Sequence, residues 1–344
     1  MEIINQTPFE AVWLFGKGPE KKEIVTVIVK GTFDLVNEQV CSVATRQLPI
    51  FESDQLYKKP EASAAEEEDK EKESSVKVEG DYVLFKPKTD VVLHGKAYAP
   101  GGSASQCDVI MKIGSYQNTI RVFGNRKWIP IPNMPFSTPE SPPGDFTTIE
   151  LKYENALGGP DFSKNPTGKG HYKNPIEAVG QPLPNLEDPE NLIQVSVNLN
   201  KITPKCFGWY GRAWPQRRDK AGDIANSAPE LPDDFNWEFN NGASPDLIVP
   251  YLNGDEEIVL TNCEPVGLFK FRLPGITPNV AVDFGLGAEP VDMVLDTVCI
   301  MMETNLEVEG EETKVEKQAY LVWRGKTAID ATHRLEKIKK IVID

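Results

Sequence analysis

The three histidines, His94, His171 and His333, are the side chains best suited to proton transfer near neutral pH or to binding a metal ion. They are far apart in the chain, so a metal site would require them to converge with carboxylates from distant segments. His94 lies where apolar and polar residues alternate, and we expect its side chain to face solvent. His171 lies in a loop rich in Gly, Asn and Pro near Asp161. The two could form a catalytic pair, but a histidine that braces the loop is the favoured interpretation.

No other motif supplies a reactive centre. The run Thr167-Gly168-Lys169-Gly170 ends in glycine where a phosphate-binding loop needs Ser or Thr for magnesium. In residues 285–290 a proline replaces the third glycine of a dinucleotide-binding turn. The acidic pairs Asp233-Asp234 and Glu187-Asp188 adjoin prolines, as turn and cap residues do. We therefore predict that the protein is not an enzyme and uses no cofactor and no metal ion.

The residue types that dominate protein interfaces are concentrated in one turn-rich stretch. Trp and Arg are the side chains most enriched at binding hot spots. We predict that this stretch binds a partner protein through Trp209, Tyr210, Trp214, Arg217 and Arg218. In the alternative interpretation, the tryptophans fill the core beneath the loop and the arginines pair with acids such as Asp219 and Asp223.

The charge balance disfavours two classes of partner. With 37 basic and 52 acidic residues, the chain has a formal net charge of −15. This charge repels the phosphate backbone that provides most non-specific affinity for nucleic acid. We therefore expect no nucleic-acid partner and no binding to an anionic membrane. The longest apolar stretches are far shorter than the ~20 residues of a membrane-spanning helix, so we also expect no membrane insertion.

Cysteine usage and the N-terminal residues both favour the cytoplasm. The five cysteines include no CxxC pair and have an odd total, which fits neither a disulfide framework nor a set of zinc ligands. Near the N-terminus, no basic segment precedes an apolar stretch as it would in a secretory signal. We predict a cytoplasmic protein.

Any functional side chain must be positioned mainly by β-strands. Apolar and polar residues alternate in many short segments, as in half-buried strands, and helical periodicity is scarce. The predicted strands are 25–30, 82–85, 91–99, 108–113, 119–123, 149–153, 193–199, 258–261, 268–273, 280–284, 293–302 and 315–323. So many strands form more than one sheet. We predict an all-β fold of mainly antiparallel sheets, sandwich or barrel-like, with long turn-rich loops and little helix.

The domain organisation follows from the same pattern. We predict one β-rich unit over residues 1–344, either as a single body or as two packed lobes of about 1–155 and 156–344. The stretch 309–312, between the last two long strands, is predicted to be a hairpin connection or a strand end. Residues 330–343 are predicted to form a short helix followed by a strand.

One segment differs from the rest in composition. Residues 61–79 contain eight acidic and three basic side chains and few apolar ones. Because such a segment has little apolar surface to offset the entropy of ordering, we predict a flexible acidic insertion over residues 60–80. Glutamates and lysines at helical spacing leave a short exposed helix as the alternative.

Turn-rich phrases also recur in a fixed order along most of the chain. They lie at Lys86-Pro87, Thr89-Asp90-Val91, Ala99-Pro100-Gly101-Gly102, 122–128, 153–161, 165–170, 183–189, Phe207-Gly208, 214–217, 232–235, 252–256 and from Leu295 through Leu321-Val322-Trp323-Arg324. This series resembles the accessory proteins of bacterial type VI secretion systems that belong to a domain family of unknown function. Two departures from that pattern are the run Asp223-Ile224-Ala225-Asn226 and the acidic insertion.

The resemblance implies a cytoplasmic adaptor or chaperone without enzymatic activity. Such a protein would bind a secreted effector, often one with a PAAR-like tip domain, and help to load it on the VgrG spike. An adaptor needs surface complementarity rather than activated nucleophiles. The alternative is a hydrolase with its site in the loops from Gly158 to His171 and from Trp209 to Arg218. A phage-tail-like structural component is a third hypothesis.

Overall fold

The computed structural model describes residues 2–58, 67–130, 140–193, 198–227, 230–285, 287–329, 333 and 335–344. Most of its regular structure is strand. The strands are β1 (Glu2–Asn5), β2 (Glu10–Lys17), β3 (Glu23–Asp34), β4 (Ser42–Val43), β5 (Gln55–Leu56), β6 (Val76–Val78), β7 (Thr89–His94), β8 (Lys96–Tyr98), β9 (Gln106–Ile113), β10 (Tyr116–Phe123), β11 (Thr148–Glu150), β12 (Leu157–Gly158), β13 (Lys169–Gly170), β14 (Leu186–Glu187), β15 (Ile248–Val249), β16 (Glu257–Thr261), β17 (Leu268–Arg272), β18 (Val280–Asp283), β19 (Ala288–Val291), β20 (Met293–Val308), β21 (Glu311–Ala328) and β22 (Lys340–Ile343).

Helical structure is limited to short pieces. The α-helices are α1 (Glu67–Glu73), α2 (Pro175–Ala178), α3 (Pro215–Arg218) and α4 (Ile224–Ser227). Single 3₁₀ turns occur at Pro19–Lys21, Pro100–Gly102, Tyr153–Asn155, Leu199–Lys201, Trp237–Asn240, Pro245–Leu247 and Leu335–Lys337. In the described part of the chain, no helix has both the length and the apolar composition to cross a membrane.

The largest sheet has seven strands, in the order β15-β7-β20-β21-β3-β2, with β4 also paired to β3. All of its pairs are antiparallel except β7 with β20. β20 and β21 form a long hairpin whose tip is Glu309 and Gly310, both at positive φ. Two residues at positive φ match the twist of the flanking strands. The predicted hairpin is therefore confirmed.

Two further sheets complete the architecture. One is antiparallel, in the order β14-β10-β9-β16-β17, and the other has the order β1-β22-β18-β19, in which β1 and β22 are parallel. One cluster of buried apolar side chains includes residues of all three sheets, and a smaller cluster lies around Trp128 and Leu157. The predicted fold class, all-β with mainly antiparallel sheets and little helix, is confirmed. The division into two lobes stays a prediction.

Most predicted strands are present, with two exceptions in the described residues. The stretch 82–85 is not a strand, because side chains rather than a neighbouring strand hold its backbone: Leu84 O accepts from the Thr26 hydroxyl, and Phe85 O from the Asn240 amide. The predicted strand 149–153 ends at Glu150 and is followed by a 3₁₀ turn. For 193–199, residues 194–197 lie outside the described part. The strand predicted near the C-terminus is confirmed by β22, whereas a single 3₁₀ turn at Leu335–Lys337 takes the place of the short helix predicted before it.

Candidate functional site

A buried cluster of charged side chains connects segments that are far apart in the sequence. The Glu79 carboxylate lies 2.6 Å from Arg217 Nη2, 3.1 Å from Lys86 Nζ and 3.2 Å from Arg212 Nη2. Burial alone would raise the pKa of Glu79, but these cations outweigh it and hold the pKa far below its ordinary value. With Asp90, which Lys86 also contacts, we call these five residues the Glu79 cluster.

Lys86 connects the Glu79 cluster to the large sheet. Its Nζ donates to the Asp90 carboxylate on β7 at 2.8 Å. The same carboxylate accepts hydrogen bonds from the Asn241 side chain at 3.1 Å and from the Gly242 N–H at 3.2 Å. Burial disfavours the charge on Lys86, but the carboxylates of Asp90 and Glu79 outweigh it and raise its pKa. Removing one partner of such a buried set leaves an uncompensated charge in the interior.

A second set of buried ion pairs crosses the same sheet. Asp296 lies at a β-bulge of β20, and its carboxylate is 2.5 Å from Arg324 Nε on β21. Arg324 also donates to the main-chain oxygens of Asp81 and Val83. The Asp81 carboxylate lies 2.8 Å from Lys30 Nζ on β3. Burial lowers the pKa of Lys30, and the Asp81 carboxylate partly opposes this shift. These charges fix the segment before β7 on the sheet.

The structure does not place the predicted partner-binding residues at the surface. Trp209, Tyr210, Trp214 and Arg217 are each 2% exposed or less, and only Arg218 is half-buried. Trp214 packs against the Tyr153 ring at 5.2 Å and the Tyr210 ring at 5.9 Å. The two tryptophans therefore lie in the core, as in the alternative interpretation, and Tyr210 and Arg217 are buried beside them. Arg217, however, pairs with Glu79 and not with Asp219 or Asp223.

The partner of this loop is the acidic segment. Glu71 accepts hydrogen bonds from the main-chain N–H groups of Arg212 at 2.9 Å and Ala213 at 2.8 Å. A Cβ on Gly211 would lie 2.4 Å from the Glu71 carboxylate, so a side chain there would have to displace this carboxylate. Burial raises the pKa of Glu71, and the two N–H groups partly oppose this shift. The two stretches that stood out separately in the sequence thus form one packed unit.

The prediction of a flexible acidic insertion over residues 60–80 needs correction in its second half. Residues 59–66 lie outside the described part of the chain, but Glu71, Ser74, Ser75 and Glu79 are all buried. The N–H and hydroxyl of Ser75 donate to the Glu154 carboxylate, and β6 pairs with β5. Composition suggested solvation because two of the cations that pair with Glu79, Arg212 and Arg217, lie more than a hundred residues away in the sequence.

An open groove of about 1060 Å³ borders this unit. It is lined mainly by residues 49–58 of the β5 region and 305–310 of the β20–β21 hairpin. The Gln55 side-chain amide connects the two walls, donating to Glu307 O at 2.7 Å and accepting from the Glu307 N–H at 2.9 Å. Asp54 lies 3.1 Å from Arg212 Nε, so the groove is attached to the Glu79 cluster. Nothing in the sequence pattern of residues 49–58 indicated this surface.

Carboxylates outnumber lysines along the groove. Its lining includes Glu52, Asp54, Glu71, Glu307, Glu309 and Glu312 but only Lys58, Lys70 and Lys77. Apolar side chains such as Ile50 and Leu56 lie between them. The groove can therefore contact both apolar and basic groups of a protein partner.

The prediction that His94 faces solvent is wrong. Its side chain is 1% exposed, and its Nδ1 lies 3.1 Å from the hydroxyl of Tyr57, a groove residue. Burial, with Lys77 nearby, lowers the pKa of His94 to about 3, so the ring is neutral at pH 7. The alternation was misleading because β7 is covered on both faces, and all six of its residues are buried.

The histidine of the 158–171 loop braces that loop. His171 Nε2 lies 3.0 Å from Asn200 Oδ1, and its ring packs on Phe162 at 4.8 Å. Asp161 pairs instead with Lys173, at 2.6 Å on the surface. The favoured interpretation of His171 is confirmed, and the catalytic pair with Asp161 is not formed.

The glycines of this loop allow the backbone to pack against itself. A Cβ on Gly158 would lie 2.2 Å from Asn165 O, and one on Gly168 would lie 2.6 Å from Ala156 O. This close packing fixes the shape of the loop in which the hydrolase alternative places part of its site. Within the described residues, no group of three or more His, Cys, Asp or Glu side chains is arranged to hold a metal ion.

A bacterial family described as "Uncharacterized protein conserved in bacteria (DUF2169)" matches residues 20–309, most of the chain. The chain belongs to this family. No curated protein and no solved structure matches it. The resemblance to a domain family of unknown function is thereby confirmed, and the connection to type VI secretion stays a prediction.

Proposed function

We propose that this member of the DUF2169 family is a cytoplasmic, non-enzymatic adaptor or chaperone. It binds a type VI secretion effector, or the PAAR-like tip domain of one, and helps to load it on the VgrG spike. The ordered series of turn-rich phrases supports this function, since it resembles the secretion accessory proteins over most of the chain. The family match covers the same region.

The observation that carries the proposal is the groove. The 49–58 wall is attached to buried ion pairs through Asp54, and the hairpin wall is hydrogen-bonded to it through Gln55. Both walls are thereby preorganised, and rigid surfaces lose less entropy when they bind. Its lining mixes apolar and acidic side chains, which suits a basic, partly apolar segment of a protein. The histidine beneath it, His94, is buried and bonded to Tyr57 rather than directed to the groove surface.

Binding to candidate cargo tests the proposal. The tagged chain should co-purify with one effector or PAAR-like protein encoded beside the type VI secretion genes, each expressed with it one at a time. The doubly substituted chain Glu52→Lys with Glu309→Lys should associate at least ~10-fold more slowly, because two exposed groove carboxylates are reversed.

A matched control separates the groove from overall charge. Asp255→Lys with Asp292→Lys makes the same change in net charge at exposed positions outside the groove lining. Its association rate should stay near that of the wild type. Equal loss in both double variants, or no cargo among the effectors tested, would count against the proposal.

Enzymatic activity would also contradict it. The hydrolase alternative places the chemistry in the 158–171 and 209–218 loops, and Asp161→Asn and His171→Gln should abolish turnover if that alternative holds. We expect the purified chain to hydrolyse no glycan or ester substrate, and both variants to bind cargo as the wild type does.

A further inference from the structure

The large sheet ends in a long uncovered strand. β2 pairs with β3 through eight consecutive residues, from Glu10 opposite Lys30 to Lys17 opposite Glu23. Within the described part of the chain, no strand pairs with its other side. The edge strand β17 of the second sheet is different, because Glu38 N–H donates to Lys270 O at 2.7 Å. Residues 38–41 thus cover the edge at β17, whereas β2 stays open.

The direction of the backbone groups of β2 follows from one hydrogen bond. Gly18 N–H donates to Lys22 O at 2.8 Å, so even-numbered residues of the strand face β3. Odd-numbered residues therefore direct their N–H and C=O groups outward. We call these groups the open edge of β2; they belong to Ala11, Trp13, Phe15 and Lys17. None of them has a hydrogen-bond partner among the residues that the structure describes.

The open edge lacks the usual protection against strand pairing. Natural edge strands are shortened, bulged, charged or interrupted by proline. β2 is eight residues long, its register with β3 is continuous, and its charges are confined to Glu10 and Lys17 at the two ends. Its apolar side chains are incompletely covered: Trp13 and Leu14 are only partly buried, and Phe15 is 42% exposed. An added strand would bury this surface and satisfy the outward groups.

We infer that the open edge of β2 is a β-augmentation site, which takes an extended segment of a partner protein as an additional strand of the sheet. The segment is apolar on alternate residues and has a basic side chain opposite Glu10, whose carboxylate has no ion-pair partner within the described residues. That this partner is the cargo rests on the proposed function; the site itself does not.

The charge pattern distinguishes such a partner from a second copy of this chain. If two copies pair their β2 strands antiparallel about a two-fold axis, the residues with outward backbone groups in one copy must lie opposite such residues in the other. Odd-numbered residues therefore lie opposite odd-numbered ones, and even-numbered residues opposite even-numbered ones. Glu10 is even-numbered and Lys17 odd-numbered, so Glu10 of one copy cannot lie opposite Lys17 of the other. Each copy also has a net charge of −15, so pairing brings like charges together.

A designed peptide tests the site with the full chain. The probe has the sequence Thr-Val-Thr-Val-Thr-Val-Thr-Lys, and its control ends in Glu instead of Lys. Amide hydrogen exchange is followed at each residue of β2. With the probe, exchange at Ala11, Trp13, Phe15 and Lys17 should slow, while Val12 and Leu14, already bonded to β3, should not change. The control peptide should bind about tenfold more weakly.

A proline substitution tests whether backbone pairing is responsible. Ala11→Pro removes an outward N–H without removing a bond to β3, and proline is tolerated at such edge positions. It should abolish the effect of the probe, whereas Ala11→Thr, which keeps the N–H, should retain it. Phe15→Pro is the second variant if Ala11→Pro does not fold.

Three results would overturn the inference: no slowing with the probe, odd-numbered amides already protected in the free chain, or a dimer in sedimentation that Ala11→Pro dissociates. In the last case a second copy occupies the edge. If the probe has no effect but the chain binds cargo in the co-purification experiment, only the edge site is overturned. If the probe binds but no cargo is found, only the adaptor function is overturned.

Discussion

Two long turn-rich loops of this protein are fixed by different forces. The 209–218 loop is held by charge, because Glu79 binds Arg217 and Glu71 binds the main chain at Arg212. The 158–171 loop is held by close backbone packing at Gly158 and by the buried amide of Asn165, which donates to two main-chain oxygens. The first loop therefore depends on ionisation and the second on the absence of side chains, although their compositions look alike.

The largest effect is expected at the centre of the Glu79 cluster. Glu79→Gln keeps the shape of the side chain but leaves Arg217 and Lys86 buried without their shared countercharge. We expect the free energy of unfolding to fall by ~3–5 kcal/mol, as measured by urea denaturation. Glu309→Gln, at the exposed hairpin tip, is the control and should change little. Similar losses in the two variants would contradict the role given to charge in the 209–218 loop.

A methyl group should disturb the second loop next most strongly. In Gly158→Ala the new Cβ would lie 2.2 Å from Asn165 O and 2.7 Å from Gly168 Cα, both backbone atoms that cannot easily move. We expect a loss of ~2–3 kcal/mol in the free energy of unfolding. Gly208→Ala is the control beside the other loop, because its nearest neighbour would be at an ordinary 3.8 Å. If Gly208→Ala lowers the free energy of unfolding as much as Gly158→Ala does, close backbone packing is not what distinguishes the 158–171 loop from the 209–218 loop.

At acid pH the 209–218 loop should contribute less to the free energy of unfolding, whereas the contribution of the 158–171 loop should not change. The pKa of Glu79 is lowered in the folded state, so its stabilisation is fully present above the ordinary value of 4.5 and is lost as the pH falls below it. The stability difference between wild type and Glu79→Gln should therefore shrink by up to ~1.4 kcal/mol per pH unit below that value. Urea denaturation between about pH 3 and pH 7 measures it. The difference between wild type and Gly158→Ala should stay constant, and parallel pH profiles would contradict the comparison.

The smallest effects are expected at the exposed polar residues of the second loop. Asp161 and Lys173 form a surface ion pair, which contributes little in water. Asp161→Asn should change the free energy of unfolding by less than ~0.5 kcal/mol, again by urea denaturation. A loss approaching that of Gly158→Ala would show that this loop is also held by charge.

The sequence predicted the elements whose signals are local. Alternation located most of the strands of the three sheets, and Glu309-Gly310 located the hairpin tip, because both depend on neighbouring residues. It could not predict that Glu79 meets Arg217, since a contact across more than a hundred residues leaves no trace in either segment. His94 was misplaced for a related reason, because only the sheet order shows that β7 is covered on both sides.

One signal in the acidic segment was overlooked. Val76, Lys77 and Val78 alternate between apolar and polar as a strand does, and this is where β6 forms. The net charge of the whole segment obscured this short pattern. The groove left no comparable signal, because its two walls come from β5 and from the distant β20–β21 hairpin.

The order of the large sheet also affects how the protein is made. β3 lies between the edge strand β2 and β21, so Gly31 cannot pair with Leu321 until that residue has been synthesised. Until then the β21 side of this apolar strand stays unpaired in the nascent chain, and contacts so distant in sequence form slowly. We therefore expect the nascent chain to be prone to aggregation until β21 has been made.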